Sequence, residues 1–377
     1  MKNILLICLF NLILIPLFGQ EREVTFTDHF VKLNEGKVTI EINEVQELTH
    51  ILMAISNVGL KDSNMINHKS EYYKDVVNHF SPYRNHRAVD IIDSMLNESI
   101  IYFILISSNA NGFTFDGNKL IRTNIYTFPA KGVGSIEISE DPILKYRKEL
   151  EDFAILSGYK SFYNNKKPYY NQVKMDYEKY GEIDKQKKWL EQKFDYKINS
   201  YRVLTSPLLG GINATTSFTD NNFKEILLYL PIIKHNNELT KELNIAMNSR
   251  VIFTEIDHNY VGPLSNKYKD KIDSIFNNRE FWVDSSNKST KHYGIPIKVF
   301  DEYMTWGLFI LYASEHFTEN DGSINYIIDH INSKMMIKGF PKAKAFNKEL
   351  LRLYKQNSNN KIETIYNNIL EWSSNQR

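Results

Sequence analysis

Residues 251–260 (VIFTEIDHNY) constrain the fold more than any other stretch of this sequence. Apolar side chains recur there at helical spacing, which predicts a helix packed against the core. The same stretch carries Glu255, Asp257 and His258, and burying ionisable groups is costly unless each finds a partner. A metal ion would supply such a partner. The alternative is that two of the three side chains simply face solvent.

The residues Thr254, Glu255 and His258 match the HExxH zinc motif except that threonine replaces the first histidine. Positions four apart on a helix share one face. In HExxH the two histidines bind zinc and the glutamate activates a metal-bound water. A threonine hydroxyl stays protonated near neutral pH and is a poor zinc ligand. The sequence therefore predicts an altered site, with His258 as a metal ligand and Glu255 as the catalytic base.

A second acidic pair, Asp301 and Glu302, stands at the start of a very apolar helix that is predicted near residues 301–315. Zinc hydrolases with a glutamate as third ligand take it from a helix downstream of HExxH. The alternative is an acidic helix N-terminus favoured by the macrodipole. That alternative suits Asp301 better than Glu302, which core residues follow at once. We therefore expect Glu302 to be a metal ligand.

Three stretches together resemble a family of exported bacterial proteins catalogued as domain of unknown function 4932. They are YYKDVVNHFSPYRNHRAVD (72–90), VIFTEIDHNYVGP (251–263) and DEYMTWGLFILY (301–312). The two later stretches are the specific ones. The resemblance implies a zincin-like metallopeptidase fold, with Glu255 as general base and with His258 and Glu302 as zinc ligands. The chain departs from the family at Thr254 and at Gly262-Pro263, where Asn-Pro is usual.

Two metal-binding arrangements would compensate for the missing histidine. In the first, Glu255 joins His258 and Glu302 around one divalent ion. Zinc is the expected metal and manganese or iron the alternatives, because all three accept oxygen donors. Asp257 would then be the fallback base, since Glu255 cannot easily be both ligand and base. In the second, another residue replaces the lost ligand.

Two other histidines are candidates for that replacement, His235 and His292. His292 could instead act catalytically, as a donor to an oxyanion. In a further arrangement no metal binds, and the protein is an inactive pseudoenzyme that binds a peptide or a glycan. The predicted function is thus metal-dependent hydrolysis of peptide bonds in a peptide or protein substrate, with a binding module as the alternative.

The N-terminal segment predicts export. A charged start and an apolar run are typical of a secretory signal peptide over residues 1–19, with a retained membrane anchor as the alternative. We expect a periplasmic or extracellular protein without stable membrane insertion after cleavage. Cys8, the only cysteine, lies in this segment, so the rest of the chain has no disulfide and no thiolate ligand. The net charge of +1 argues against nucleic acid as a partner.

Residues 20–377 are predicted to form a single α+β domain of zincin-like fold, with strands early and mainly helices in the second half. Alternating polar and apolar residues predict a β-hairpin over Val24–Ile42. The helix that carries the metal motif is expected near residues 245–260, and the helix that carries Glu302 near 301–315.

Overall fold

The structure is a computed structural model that describes residues 23–133, 136–317, 322–357 and 361–376. The predicted signal peptide, residues 1–19, lies outside the described residues. The chain divides into two units: the first runs to Met175 and adds Ile198–Ile232, and the second comprises Asp176–Lys197 and everything from Ile233 onward. Helices and a mixed sheet are both present, which confirms the predicted α+β class. That residues 20–377 act as one domain stays a prediction.

The strands of the described residues lie in the first unit. They are β1 Glu23–Val24, β2 Val38–Glu41, β3 Phe113–Asp116, β4 Lys119–Arg122, β5 Tyr126–Phe128, β6 Gly132–Val133, β7 Ile136–Glu137, β8 Ser200–Ser206, β9 Ala214–Asp220 and β10 Phe223–Pro231. Four strands form one sheet in the order β2-β8-β10-β9. β2 and β10 run parallel to β8, whereas β9 is antiparallel to β10. The two central strands are almost wholly buried; β10 is largely apolar, whereas β8 contains both apolar and polar side chains.

Helices precede and separate the strands of this sheet along the chain. In the first unit they are α1 Asp28–Asn34, α2 Glu44–Ile55, α3 Glu71–Phe80, α4 Arg87–Glu98, α5 Tyr102–Ala110, α6 Pro142–Lys145, α7 Arg147–Leu156 and α8 Tyr159–Asn165, and α9 Lys167–Tyr180 contains the boundary between the units. α2 is almost entirely buried and packs against α3, α4 and α5. Its apolar stretch therefore forms much of the core of this unit.

The predicted β-hairpin over Val24–Ile42 is wrong. The Thr27 hydroxyl accepts a hydrogen bond from the backbone N–H of Phe30, so Thr27 caps α1 and the residues after it form a helix. Strand β2 follows that helix and pairs in parallel with β8. Early strands are present, as predicted, but β2 finds its partner in a distant part of the chain.

The described residues of the second unit form helices joined by loops, with no strand among them. Its α-helices are α10 Ile183–Lys193, α11 Lys241–Lys267, α12 Lys269–Phe276, α13 Arg279–Trp282, α14 Pro296–His316, α15 Ser323–Lys338, α16 Ala343–Gln356 and α17 Ile362–Ser374. The helices predicted near 245–260 and 301–315 are therefore both present, within α11 and α14. α14 is buried on nearly all sides because α11, α12, α15 and α16 pack around it.

None of the described helices is both long enough and apolar enough to cross a membrane.

Candidate functional site

Glu255, His258 and Glu302 belong to two helices that pack against each other. α11 contributes Glu255 and His258, which lie one turn apart on the helix, and α14 contributes Glu302. Glu255 is 8% exposed and Glu302 is 1% exposed, while His258 is partly buried. The charge of Glu302 shifts the pKa of both α11 side chains. Both α11 side chains are thus within electrostatic reach of Glu302.

Glu302 is not a helix-terminal charge. α14 begins at Pro296, where proline is well tolerated because the first helical N–H has no partner within the helix. Glu302 therefore lies in the second turn, where the macrodipole has little effect. Because its side chain is also almost fully buried, its charge needs a specific partner.

That partner is Lys338, the last residue of α15. The ammonium Nζ donates a hydrogen bond to Glu302 Oε1 at 2.5 Å, and the indole Nε1 of Trp306 donates to the same oxygen at 2.8 Å. Burial alone would raise the pKa of Glu302, but the charge of Lys338 and the hydrogen bonds from Lys338 and Trp306 outweigh it and hold that pKa below its ordinary value. Glu302 is therefore ionised near neutral pH.

Aromatic rings and a second cation complete the surroundings of Glu302. Lys338 Nζ lies 5.6 Å from the ring centre of Trp306 and 5.2 Å from that of Tyr293. The guanidinium of Arg250 lies 4.8 Å from the Trp306 ring centre. Burial lowers the pKa of Arg250 to about 10, although Glu255 and Glu302 oppose that shift. Both bases are thus cationic near neutral pH, and their contacts with the rings are favourable.

Burial shifts the pKa values of Glu255 and His258 in opposite directions. Burial, and secondarily the charge of Glu302, raises the pKa of Glu255 to about 8, so this carboxyl keeps a proton near neutral pH. Its Oε2 atom is buried and has no hydrogen-bond partner. Burial lowers the pKa of His258 to about 4, so its ring is neutral. A neutral imidazole can offer a lone pair to a metal or to a donor.

Asp257 is fully buried, and neither carboxylate oxygen has a hydrogen-bond partner. Burial, followed by the charges of Glu255, Glu302 and Asp301, holds its pKa well above the ordinary value. Asp301 behaves similarly, since burial raises its pKa to about 7. The role of Asp257 as the fallback base stays a prediction.

The remaining candidates contribute less to this site. The Thr254 hydroxyl donates to the carbonyl oxygen of Val251 at 3.2 Å, which ties it to the helix backbone. His235 is exposed, and its ring centre lies 5.8 Å from that of Tyr180. His292 ends a short 3-10 helix, Lys288–His292, and its side chain lies outside what the structure describes.

Sequence reasoning missed Lys338, Trp306 and Arg250. Trp306 could have been found, because it lies four residues after Glu302 and therefore on the same helix face. Lys338 lies 36 residues from Glu302 along the chain, and nothing in its local sequence distinguishes it from a surface lysine. Its role depends on how α15 packs against α14.

Two of the residues in the predicted metal motif are already engaged by protein groups. Across the described residues, no three His, Cys, Asp or Glu side chains lie where they could hold one metal ion. One oxygen of Glu302 already accepts from an ammonium and an indole, and Thr254 is bonded to its own helix. His258 and the unpartnered oxygen of Glu255 are the donors that would suit a metal.

Comparison of the sequence with models of known families and with curated proteins, and of the structure with solved structures, gives no match.

Proposed function

We propose that the second unit is a zincin-like domain in which the ammonium of Lys338 takes over the electrostatic role of the metal ion. On this proposal the protein binds a peptide or a glycan and does not cleave it. The observation that carries the proposal is the distance of 2.5 Å between Lys338 Nζ and Glu302 Oε1. A carboxylate that is 1% exposed needs a cation beside it to stay ionised, and Lys338 is that cation.

The ammonium of Lys338 and a metal ion would compete for Glu302, because the two cations repel each other. Two unit charges 4 Å apart interact by about 4 kcal/mol at an effective dielectric constant of about 20, so the repulsion between a divalent ion and an ammonium at that distance is about 8 kcal/mol. The guanidinium of Arg250 adds repulsion of the same sign, because it too lies in the field of Glu302. A divalent ion would therefore bind Glu302 only if Lys338 moved away.

A metal-dependent hydrolase is the second candidate, and one observation favours it. Glu255 has a buried, unpartnered oxygen and a pKa raised to about 8, which is close to the value that suits a general acid or base near neutral pH. Neighbouring carboxyl groups whose pKa values are shifted in opposite directions, as in Glu255 and Glu302, are common in active sites. In that case Glu255 would be the general base, His258 and Glu302 would be metal ligands, and the substrate would be a peptide.

Metal analysis of the purified protein distinguishes the two candidates. We expect less than stoichiometric zinc, manganese and iron in the wild type, even after incubation with each metal followed by gel filtration. The variants His258→Ala and Glu302→Ala are the comparison, since a metal held at this site would be lost in both. Stoichiometric metal that disappears in both variants would overturn the proposal and support the hydrolase.

Cleavage assays test the second part of the proposal. A mixed peptide library incubated with the protein should remain intact. Peptide cleavage that a chelator abolishes, and that Glu255→Gln also abolishes, would show that the site is catalytic. Residual cleavage that survives in Glu255→Gln would instead reveal a contaminating peptidase.

A further inference from the structure

The first unit contains a cavity of about 610 Å³ against one face of its sheet. This volume lies within the range of about 300–1,000 Å³ that is usual for ligand pockets. Its floor carries Glu41 from β2, Arg202 from β8 and Glu225 from β10, which the strand registers place on the same face of three adjacent strands. Four aromatic side chains also line it: Phe30, Phe113, Tyr126 and Tyr163.

The polar groups on the floor are fixed by one another. Arg202 donates to Glu41 Oε2 from Nε at 2.8 Å and from Nη2 at 2.7 Å. Glu225 accepts from the hydroxyl of Ser200 at 3.0 Å and from the hydroxyl of Tyr126. The guanidinium of Arg202 also lies 5.4 Å from the Tyr126 ring centre. These groups are therefore held in place before any ligand arrives, which lowers the entropic cost of binding.

The charges that line the cavity are nearly balanced. Arg202 and Lys174 are cationic, while Glu41 and Glu44 are anionic. Glu41 pairs with Arg202, and Glu44 pairs with Lys160 at 2.5 Å. Each of these two pairs would have to break before a charged ligand could pair with one of its members.

Two further groups favour a ligand that can donate hydrogen bonds. Glu225 offers carboxylate oxygens, and burial raises its pKa. Asn111 also lines the cavity, and its Oδ1 atom is buried without a hydrogen-bond partner, while its Nδ2 atom donates to Tyr229 at 3.1 Å. The lining therefore offers acceptors and donors side by side with little net charge.

From these features we infer that the cavity binds a neutral, hydroxyl-rich ligand, a sugar of one or two rings. Sugar hydroxyls both donate and accept, so they match carboxylate, guanidinium and amide groups that are already paired. The C–H faces of sugar rings pack against aromatic side chains, and four such side chains line this cavity. The inference rests on the first unit alone and does not depend on the state of Lys338.

Titration calorimetry with neutral disaccharides tests the inference. The probes are maltose, cellobiose, lactose and N,N′-diacetylchitobiose, with glucuronate and glucosamine as charged comparators. We expect saturable binding of at least one neutral sugar and weaker binding of both charged ones. Thr114→Trp would fill the cavity from an exposed wall position and should weaken binding at least about tenfold.

The matched control is Thr219→Trp, an exposed threonine on the edge strand β9 that does not line the cavity. It should bind sugar as the wild type does, and circular dichroism checks that both variants fold. If Thr114→Trp does not fold, Lys174→Met replaces it and should weaken binding severalfold. The inference fails if no neutral sugar of the panel binds, if a charged comparator binds more tightly, or if the cavity variant and the control behave alike.

Discussion

Replacing Lys338 with methionine should destabilise the second unit by about 3 kcal/mol, near the lower end of the roughly 3–5 kcal/mol that breaking a buried ion pair costs. Methionine keeps most of the chain length of the lysine but removes the ammonium that lies 2.5 Å from Glu302. The Glu302 side chain is 2% exposed, so its charge would be left buried beside the Trp306 indole, which is a neutral donor. The cost lies near the lower end of that range because the Lys338 side chain is 20% exposed, and solvent therefore screens part of the pair.

The double variant shows whether the cost comes from the pair. Glu302→Gln alone leaves an ammonium that can extend into solvent, so it should cost about 1 kcal/mol. Combining it with Lys338→Met leaves two neutral side chains, and the amide oxygen introduced at position 302 can still accept from Trp306. The double variant should therefore be destabilised by about 2 kcal/mol less than the sum of the two single effects.

Urea unfolding followed by tryptophan fluorescence measures these values. The four tryptophans are Trp189, Trp282, Trp306 and Trp372, so the signal reports on the second unit. Lys334→Met, an exposed lysine on the same helix, is the control and should cost less than about 0.5 kcal/mol. A cost below about 1 kcal/mol for Lys338→Met, or additive effects in the double variant, would refute the ion-pair argument.

Three further changes test other parts of the structure. Glu255 has a pKa raised from 4.5 to about 8, so the folded state keeps the proton to a higher pH than the unfolded state does. As the pH rises from 4.5 to 8, the free energy of unfolding of the wild type, measured with urea, should therefore fall relative to that of Glu255→Gln by about 1.4 kcal/mol per pH unit. His50 is buried and has a pKa lowered from 6.5 to about 3, so wild-type stability should fall as the pH drops below 6.5, whereas His50→Gln should lose that slope. Gly59→Ala would place a Cβ 1.8 Å from the Met53 carbonyl oxygen and should lower the free energy of unfolding by about 1–3 kcal/mol, while Gly294→Ala, with no atom within 4 Å, should be nearly neutral.

Local patterns predicted the helices that carry the site, because helical periodicity depends only on neighbouring residues. The stretches around Glu255 and Glu302 both proved to be helices, and the two helices pack together. The same local information was misapplied near the N-terminus. Thr27 followed by Asp28 is a helix-start signal that the hairpin prediction overlooked. Alternation over a short stretch cannot outweigh a side chain that caps the first turn.

Long-range partners could not be predicted from the same information. Strand β2 carries Glu41, which pairs with Arg202 at a separation of 161 residues, so the cavity floor exists only after distant strands align. The charge state of Glu302 likewise depends on Lys338, at the end of another helix. A single sequence contains no signal for either pairing, because both arise from how secondary-structure elements pack.

On the proposed zincin-like fold, Thr254 removes a metal ligand and Lys338 supplies the positive charge that the metal would have placed beside Glu302. A zinc ion needs several donors directed at it at about 2.0–2.2 Å, and the Thr254 hydroxyl is instead bonded to the Val251 carbonyl. The burial of Glu302 demands a cation whether or not those donors exist. An ammonium meets that demand with hydrogen bonds alone, because it requires no fixed set of ligands around it. The charge of Glu302 then serves to join α14 to α15, and neutralising both members of the pair should cost less than the separate changes together.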